Sequence, residues 1–114
     1  MTSQEFRRLA LSLPEASEQA HMDHPDFRVA GTIFATLGYP ENGWGMVKLT
    51  PLEQEMLVKA QPSVFVPAKG AWGRRGATCV RLKGVRAGTL RRALRGAWLL
   101  AAPKALASKL ESES

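Results

Sequence analysis

Cysteine is almost absent: Cys79 is the single one among 114 residues. That excludes an intrachain disulfide and a multi-cysteine zinc site, and one unpaired thiol suits a reducing cytoplasm. Long apolar runs are missing too. The longest, Ala97 to Pro103, is far shorter than the roughly 20 residues needed to cross a bilayer. The N-terminal Met-Thr-Ser-Gln-Glu is polar and acidic, unlike a signal peptide. No Walker loop, Gly-x-Ser-x-Gly elbow or zinc-protease histidine pair occurs. These absences lead us to expect a cytoplasmic, non-membrane protein that is not an enzyme and has no catalytic residues, cofactor or bound metal.

Acidic residues are missing from one half of the chain. Residues 1–55 carry four basic and eight acidic side chains, whereas residues 56–110 carry twelve basic and none acidic. Glu111 and Glu113 complete the net charge of +6. The modest total thus conceals a dipolar chain, whose field would steer an anionic partner unless the two halves neutralise each other in the fold. The length suits one domain, placed at residues 1–110 with a short polar tail at 111–114. Disorder is expected only within Ser108–Ser114, because the remainder has an ordinary globular composition.

Thr2-Ser3-Gln4-Glu5 has capping-box spacing and opens a helix from about Ser3 to Leu13. Phe6, Leu9, Ala10 and Leu13 form its apolar stripe, and Pro14 stops it. Ser17 to Met22 is a strand candidate. Phe27-Arg28-Val29, turning at Ala30-Gly31 and returning as Thr32 to Leu37, reads as a hairpin. Tyr39-Pro40-Glu41-Asn42-Gly43 is a further turn. In the strand Trp44 to Leu49, Trp44, Met46 and Lys48 share one face, and Val47 and Leu49 the other. Thr50, Pro51 and Glu53 open a second helix, with Leu52, Met56, Leu57 and Ala60 as its expected buried stripe. Val64-Phe65-Val66 runs into Pro67. A loop punctuated by Gly70, Gly73 and Gly76 follows, then a strand at about Thr78 to Lys83. A helix over about Ala87 to Ala102 buries Leu90, Leu94, Ala97, Trp98 and Ala101, and Lys104 to Leu110 forms a short last turn. This order predicts an α+β fold, a single antiparallel sheet with helices packed on one face.

Several segments carry a family resemblance: Leu13-Pro14-Glu15, His24-Pro-Asp-Phe-Arg-Val29 and Gly31-Thr-Ile-Phe-Ala-Thr36. Lys48-Leu49 before Pro51-x-Glu53-Gln54, Phe65-x-Pro67 with Gly70-Ala-Trp-Gly-Arg-Arg-Gly76, and Ala97-Trp98 through Ala102-Pro103-Lys104 complete the set. Together they span about Phe6 to Leu110 and resemble the MmcQ/YjbR family of small bacterial proteins. The resemblance implies a frataxin/CyaY-like sheet-and-helix fold and a DNA-binding label. It brings no catalytic residues. His24, Phe27, Arg28, Trp72, Gly73, Arg75 and Gly76 match the family pattern.

The basic half offers a candidate nucleic-acid surface of three parts. These are the Lys69, Arg74 and Arg75 loop, the Arg81, Lys83 and Arg86 strand edge, and the Arg91, Arg92 and Arg95 helix face. If they converge, they would make mainly phosphate contacts, with Trp72 stacking on a base or instead burying its indole to anchor the loop. DNA is the expected partner. A homo-oligomer, or an acidic protein held by charge complementarity, is the first alternative, and a small ligand in a pocket between sheet and helices is the second. His21, Asp23, His24 and Asp26 are all potential metal ligands. On one extended strand, however, His21 and Asp23 would face away from His24 and Asp26, and His24-Pro25-Asp26 reads as turn chemistry. Frataxin-like iron donation is disfavoured, because the first helix offers Glu5 beside Arg7 and Arg8. Cys79, within a strand, reads as a buried inert thiol.

Overall fold

Two threonines set the starts of two helices. Thr2 accepts from the Glu5 amide at 3.1 Å while the Glu5 carboxylate accepts from the Thr2 amide, also at 3.1 Å, opening α1 (Ser3–Leu11). Thr50 and Glu53 repeat the arrangement at the start of α2 (Pro51–Ala60). Each box satisfies amides that the first helical turn would otherwise leave unpaired. The computed structural model describes residues 1–113, with side-chain surroundings through Leu110.

Between these helices run β1 (Ser17–His21), β2 (His24–Val29), β3 (Thr32–Leu37) and β4 (Trp44–Lys48). After α2 come β5 (Phe65–Pro67), the short α3 (Gly70–Arg74), β6 (Ala77–Arg81), α4 (Ala87–Ala101) and α5 (Lys104–Glu113). The strands form one antiparallel sheet in the order β1-β2-β3-β4-β6-β5. The predicted α+β architecture is therefore the observed one. Positive φ at Ala30 and Gly31, 51° and 82°, matches the two-residue hairpin turn expected there.

The sheet has two unlike faces. On the first, Phe27, Ala35, Val47 and Val80 meet Phe6 and Leu9 of α1 and Leu90, Leu94 and Trp98 of α4 in the main core. The Trp98 indole N–H donates to the Pro14 carbonyl at 3.0 Å, which ties α4 to the end of α1. On the second face the strand register aligns Gln19, Asp26, Thr36, Met46, Cys79 and Val66 in one row across all six strands. Met46, Cys79, Ala68 and Ala77 form a small second cluster there, with Tyr39 and Trp44 packed against it.

Four expectations need correction. The α2 stripe is misassigned: Leu52 and Met56 are exposed, Ala60 is exposed as well, and no α2 residue is fully buried. This helix lies near β5, packs Leu57 and Val58 against the core, and is anchored by Gln54, whose amide nitrogen reaches Gly73 O at 2.9 Å, Ala77 O at 3.0 Å and Thr78 Oγ1 at 3.2 Å. Helical period alone cannot tell a polar anchor from an apolar one. The glycine-rich loop contains a helical turn, α3, because Gly73 lets it sit against the Ala68 carbonyl, where a Cβ would overlap. His24-Pro25-Asp26 begins β2; the reversal is one step earlier, at Met22 and Asp23, with φ 48° and 67°. The last helix, α5, extends beyond a short turn and through the segment expected to be disordered; Ser114 of the expected tail lies outside the described residues.

Candidate functional site

The reversal at Met22-Asp23 decides what the second face can do. A single strand would have separated the two histidines from each other. The hairpin instead pairs His21 with His24 across β1 and β2, so both side chains and Asp26 share one face. His21 Nδ1 then lies 2.7 Å from Asp26 Oδ2. Arg28 grips the same carboxylate with Nε–Oδ1 at 2.8 Å and Nη2–Oδ2 at 3.1 Å.

Asp26 is fully buried. Hydrogen bonding from Arg28, reinforced by His21, holds its carboxyl below the ordinary range against the opposing effect of burial, and the Arg28 guanidinium is raised in turn. An ionised carboxylate only accepts, so His21 Nδ1 carries a proton, and among the described residues its Nε2 has no hydrogen-bond partner. Burial pushes the Cys79 thiol up, in keeping with the inert thiol expected from its strand position.

In front of this dyad lies a cavity of about 320 Å³, lined by His21, Met22, His24, Thr36, Tyr39, Met46 and Trp72. Its rings follow one another edge to face: His21–His24 at 6.4 Å, His24–Tyr39 at 6.4 Å and Tyr39–Trp72 at 5.9 Å between centroids. Trp72 remains 45 % exposed. It therefore neither plugs the core nor stands free; it forms a wall of the cavity. Thr36 is 1 % exposed, and its enclosed hydroxyl has no hydrogen-bond partner among the described residues. Buried hydroxyls are seldom left so, because the uncompensated group costs about 1–3 kcal/mol.

The residues expected to contact phosphate come from several elements. Lys69, Arg74 and Arg75 come together with Trp72, as the N-cap, body and C-cap of α3. Arg81 lies on the second face, its guanidinium 4.5 Å from the Trp44 ring centroid and its Nε donating to Ser63 O at 3.2 Å. Lys83 and Arg86 are exposed in the connection to α4. Arg91, Arg92 and Arg95 belong to α4, in the layer beyond the first face, with Arg95 half-buried and engaged. The three parts thus lie on α3, on β6 with the connection after it, and on α4. Among the described residues no group of three or more His, Cys, Asp or Glu is arranged to hold a metal ion. No described helix is long and apolar enough to cross a membrane.

Sequence reading weighed His21, His24 and Asp26 as metal ligands alone, and missed Thr36, Tyr39 and Met46 as their neighbours. The signal available was the strand register: once the Met22-Asp23 turn is placed, the alternation of β2, β3 and β4 puts these residues side by side.

A six-stranded antiparallel sheet, helices against one face and a ring-lined cavity on the other, defines a small α+β protein built around a two-sided sheet. The YjbR family model matches residues 11–100, and the chain belongs to that family. It is similar to the crystal structure of Deinococcus radiodurans protein DR2400, a protein with a DUF419 domain. That match has a TM-score of 0.77 and 24 % identity, and covers 96 % of this chain and 88 % of that one. At that identity the likeness speaks to the fold. No curated protein matches the sequence.

Proposed function

We propose that the chain is a cytoplasmic binding protein for a small planar ligand held in the second-face cavity. The observation that carries this reading is the cavity itself, walled by the edge-to-face series His21, His24, Tyr39 and Trp72 with Thr36 and Met46 beside them. The cavity volume falls at the lower end of small-molecule pockets, about 300–1,000 Å³, which suits a mono- or bicyclic ligand. Tyr39, His24 and Trp72 offer ring faces and edges for stacking, and Met22 and Met46 supply apolar, adaptable surface. His21 Nε2 would hydrogen-bond the ligand, accepting from it when the imidazole is neutral and donating to it when both nitrogens are protonated. The single buried thiol is consistent with the compartment.

The test is a panel of planar heterocycles followed by Trp fluorescence and ligand-observed NMR. At least one should bind the wild-type chain, with affinity falling about tenfold or more in Trp72→Ala and in Tyr39→Ala, a loss near 1.4 kcal/mol. Absence of binding across the panel, or binding indifferent to both substitutions, overturns the reading.

Nucleic acid is the second reading, favoured by the half-exposed Trp72 with Lys69, Arg74 and Arg75 on the same short segment. A single strand would stack one base on the indole and set phosphates on the cations. Duplex binding should be weak and largely independent of sequence, with log affinity falling about 0.9 per neutralised phosphate as log salt rises. Affinity unchanged by an Arg74→Ala/Arg75→Ala pair counts against it.

A further inference from the structure

Trp72 is shared by two depressions. On one side is the ring-lined cavity; on the other is a cleft of about 270 Å³ lined by Lys48, Leu49, Trp72, Arg75, Ala77 and Leu100. The two are neighbours along β4. Met46 lines the first and Lys48 the second, and two residues on one strand face are separated by about 7 Å. The cross-strand partners repeat the step, Cys79 opposite Met46 and Ala77 opposite Lys48.

The cleft brings a lysine from the sheet against an arginine that ends α3. Among the described residues, neither Lys48 nor Arg75 has a carboxylate within salt-bridge distance. Two cations facing one space without a counter-ion repel each other, and an anion between them relieves that repulsion. An arginine fork with a lysine point charge is a combination suited to phosphate.

We infer that the ligand carries a phosphate on the far side of Trp72, so that a nucleoside monophosphate would seat its base against Tyr39, Trp72 and Thr36 and its phosphate between Lys48 and Arg75. The two seats lie about one nucleotide apart along β4. The inference rests on the ring-binding reading of the cavity and adds the anionic half of the ligand. It also explains the strict placement of α3. Gly76, at φ 116°, approaches the Leu49 carbonyl where a Cβ would overlap, and Gly73 does the same at Ala68. Both approaches fix Trp72 and Arg75, the residues that divide and close the two depressions.

The experiment compares nucleosides with their 5′-monophosphates, for adenine, guanine, cytosine and uracil, by calorimetry at low salt. Inorganic phosphate serves as a third probe. For at least one base the monophosphate should bind about tenfold more tightly than the nucleoside. In Lys48→Gln/Arg75→Gln the monophosphate should fall to the nucleoside's affinity while the nucleoside is unchanged. Both side chains lack ion-pair partners, so unaltered melting of that variant checks that it folds. Nucleosides that bind as tightly as monophosphates overturn the phosphate seat and leave the ring site standing. If monophosphates bind no better than inorganic phosphate, and Trp72→Ala makes no difference, the ring site is wrong and the two-part ligand falls with it. No binding by any probe overturns both.

Discussion

Thr36→Val should make this protein more stable, which is unusual for a substitution in a folded interior. The Thr36 hydroxyl is buried and unpaired, and such a group costs about 1–3 kcal/mol relative to one left in water. Valine keeps the branched shape and removes the cost. At the lower figure this is about 1 kcal/mol of added stability, or about 4 °C in Tm for a chain of this size. Thr78→Val is the control. Its hydroxyl donates to Gly76 O at 2.8 Å and meets Gln54 Nε2 at 3.2 Å, so its removal should cost about 1–2 kcal/mol. Urea denaturation followed by circular dichroism measures both without ligand. Opposite signs are expected. If Thr36→Val destabilises as Thr78→Val does, the Thr36 hydroxyl has a partner in solution and the reading of an unpaired buried hydroxyl is refuted.

Further outcomes follow from the same geometry. Arg28→Ala leaves the fully buried Asp26 carboxylate with His21 as its one ionic partner, and should cost about 3 kcal/mol by chemical denaturation. The Asp26 pKa is lowered on folding, so the unfolded chain binds the proton more tightly. The stabilisation is complete above the unfolded value of about 3.9 and is lost as pH falls through the lower, folded one; Asp26→Asn should be weaker at pH 7 with a flatter acid limb. Gly73→Ala forces a Cβ onto the Ala68 carbonyl and should cost about 1–3 kcal/mol while changing Trp72 fluorescence. Thr50→Ala breaks the α2 capping box and should cost about 1 kcal/mol in thermal melts, with ligand binding retained.

Much of the architecture was legible because its signals are local. The Thr2 and Thr50 capping boxes, the Ala30-Gly31 turn and the two faces of β4 each depend on a handful of adjacent residues, and each appears as read. The site was less legible because it depends on register between distant strands. Asp26 belongs beside His21 only because the chain reverses at Met22-Asp23, where neither residue is glycine and both take positive φ. A Met-Asp pair is a weak turn signal beside the neighbouring His24-Pro25-Asp26, and a misplaced turn sends the side chains to the wrong faces. The basic half was legible as charge but not as surface. Arg81 and Arg91 are close in sequence, yet the chain leaves β6 on one side of the sheet and enters α4 on the other. Gln54 illustrates the same limit: a polar side chain holding α2 to three groups of α3 and β6 has no periodic signature.

The central claim is that the chemistry of this protein lies around Trp72, in the ring-lined cavity of the second face and the cleft beside it. Mapping backbone amide shifts in a ¹H–¹⁵N spectrum during titration with a nucleoside monophosphate tests it most directly. Shifts should concentrate at Thr36, Tyr39, Met46, Lys48, Trp72 and Arg75. A response centred instead on Arg91 and Arg92 of α4 would contradict the account and return the basic helix to the position of binding surface.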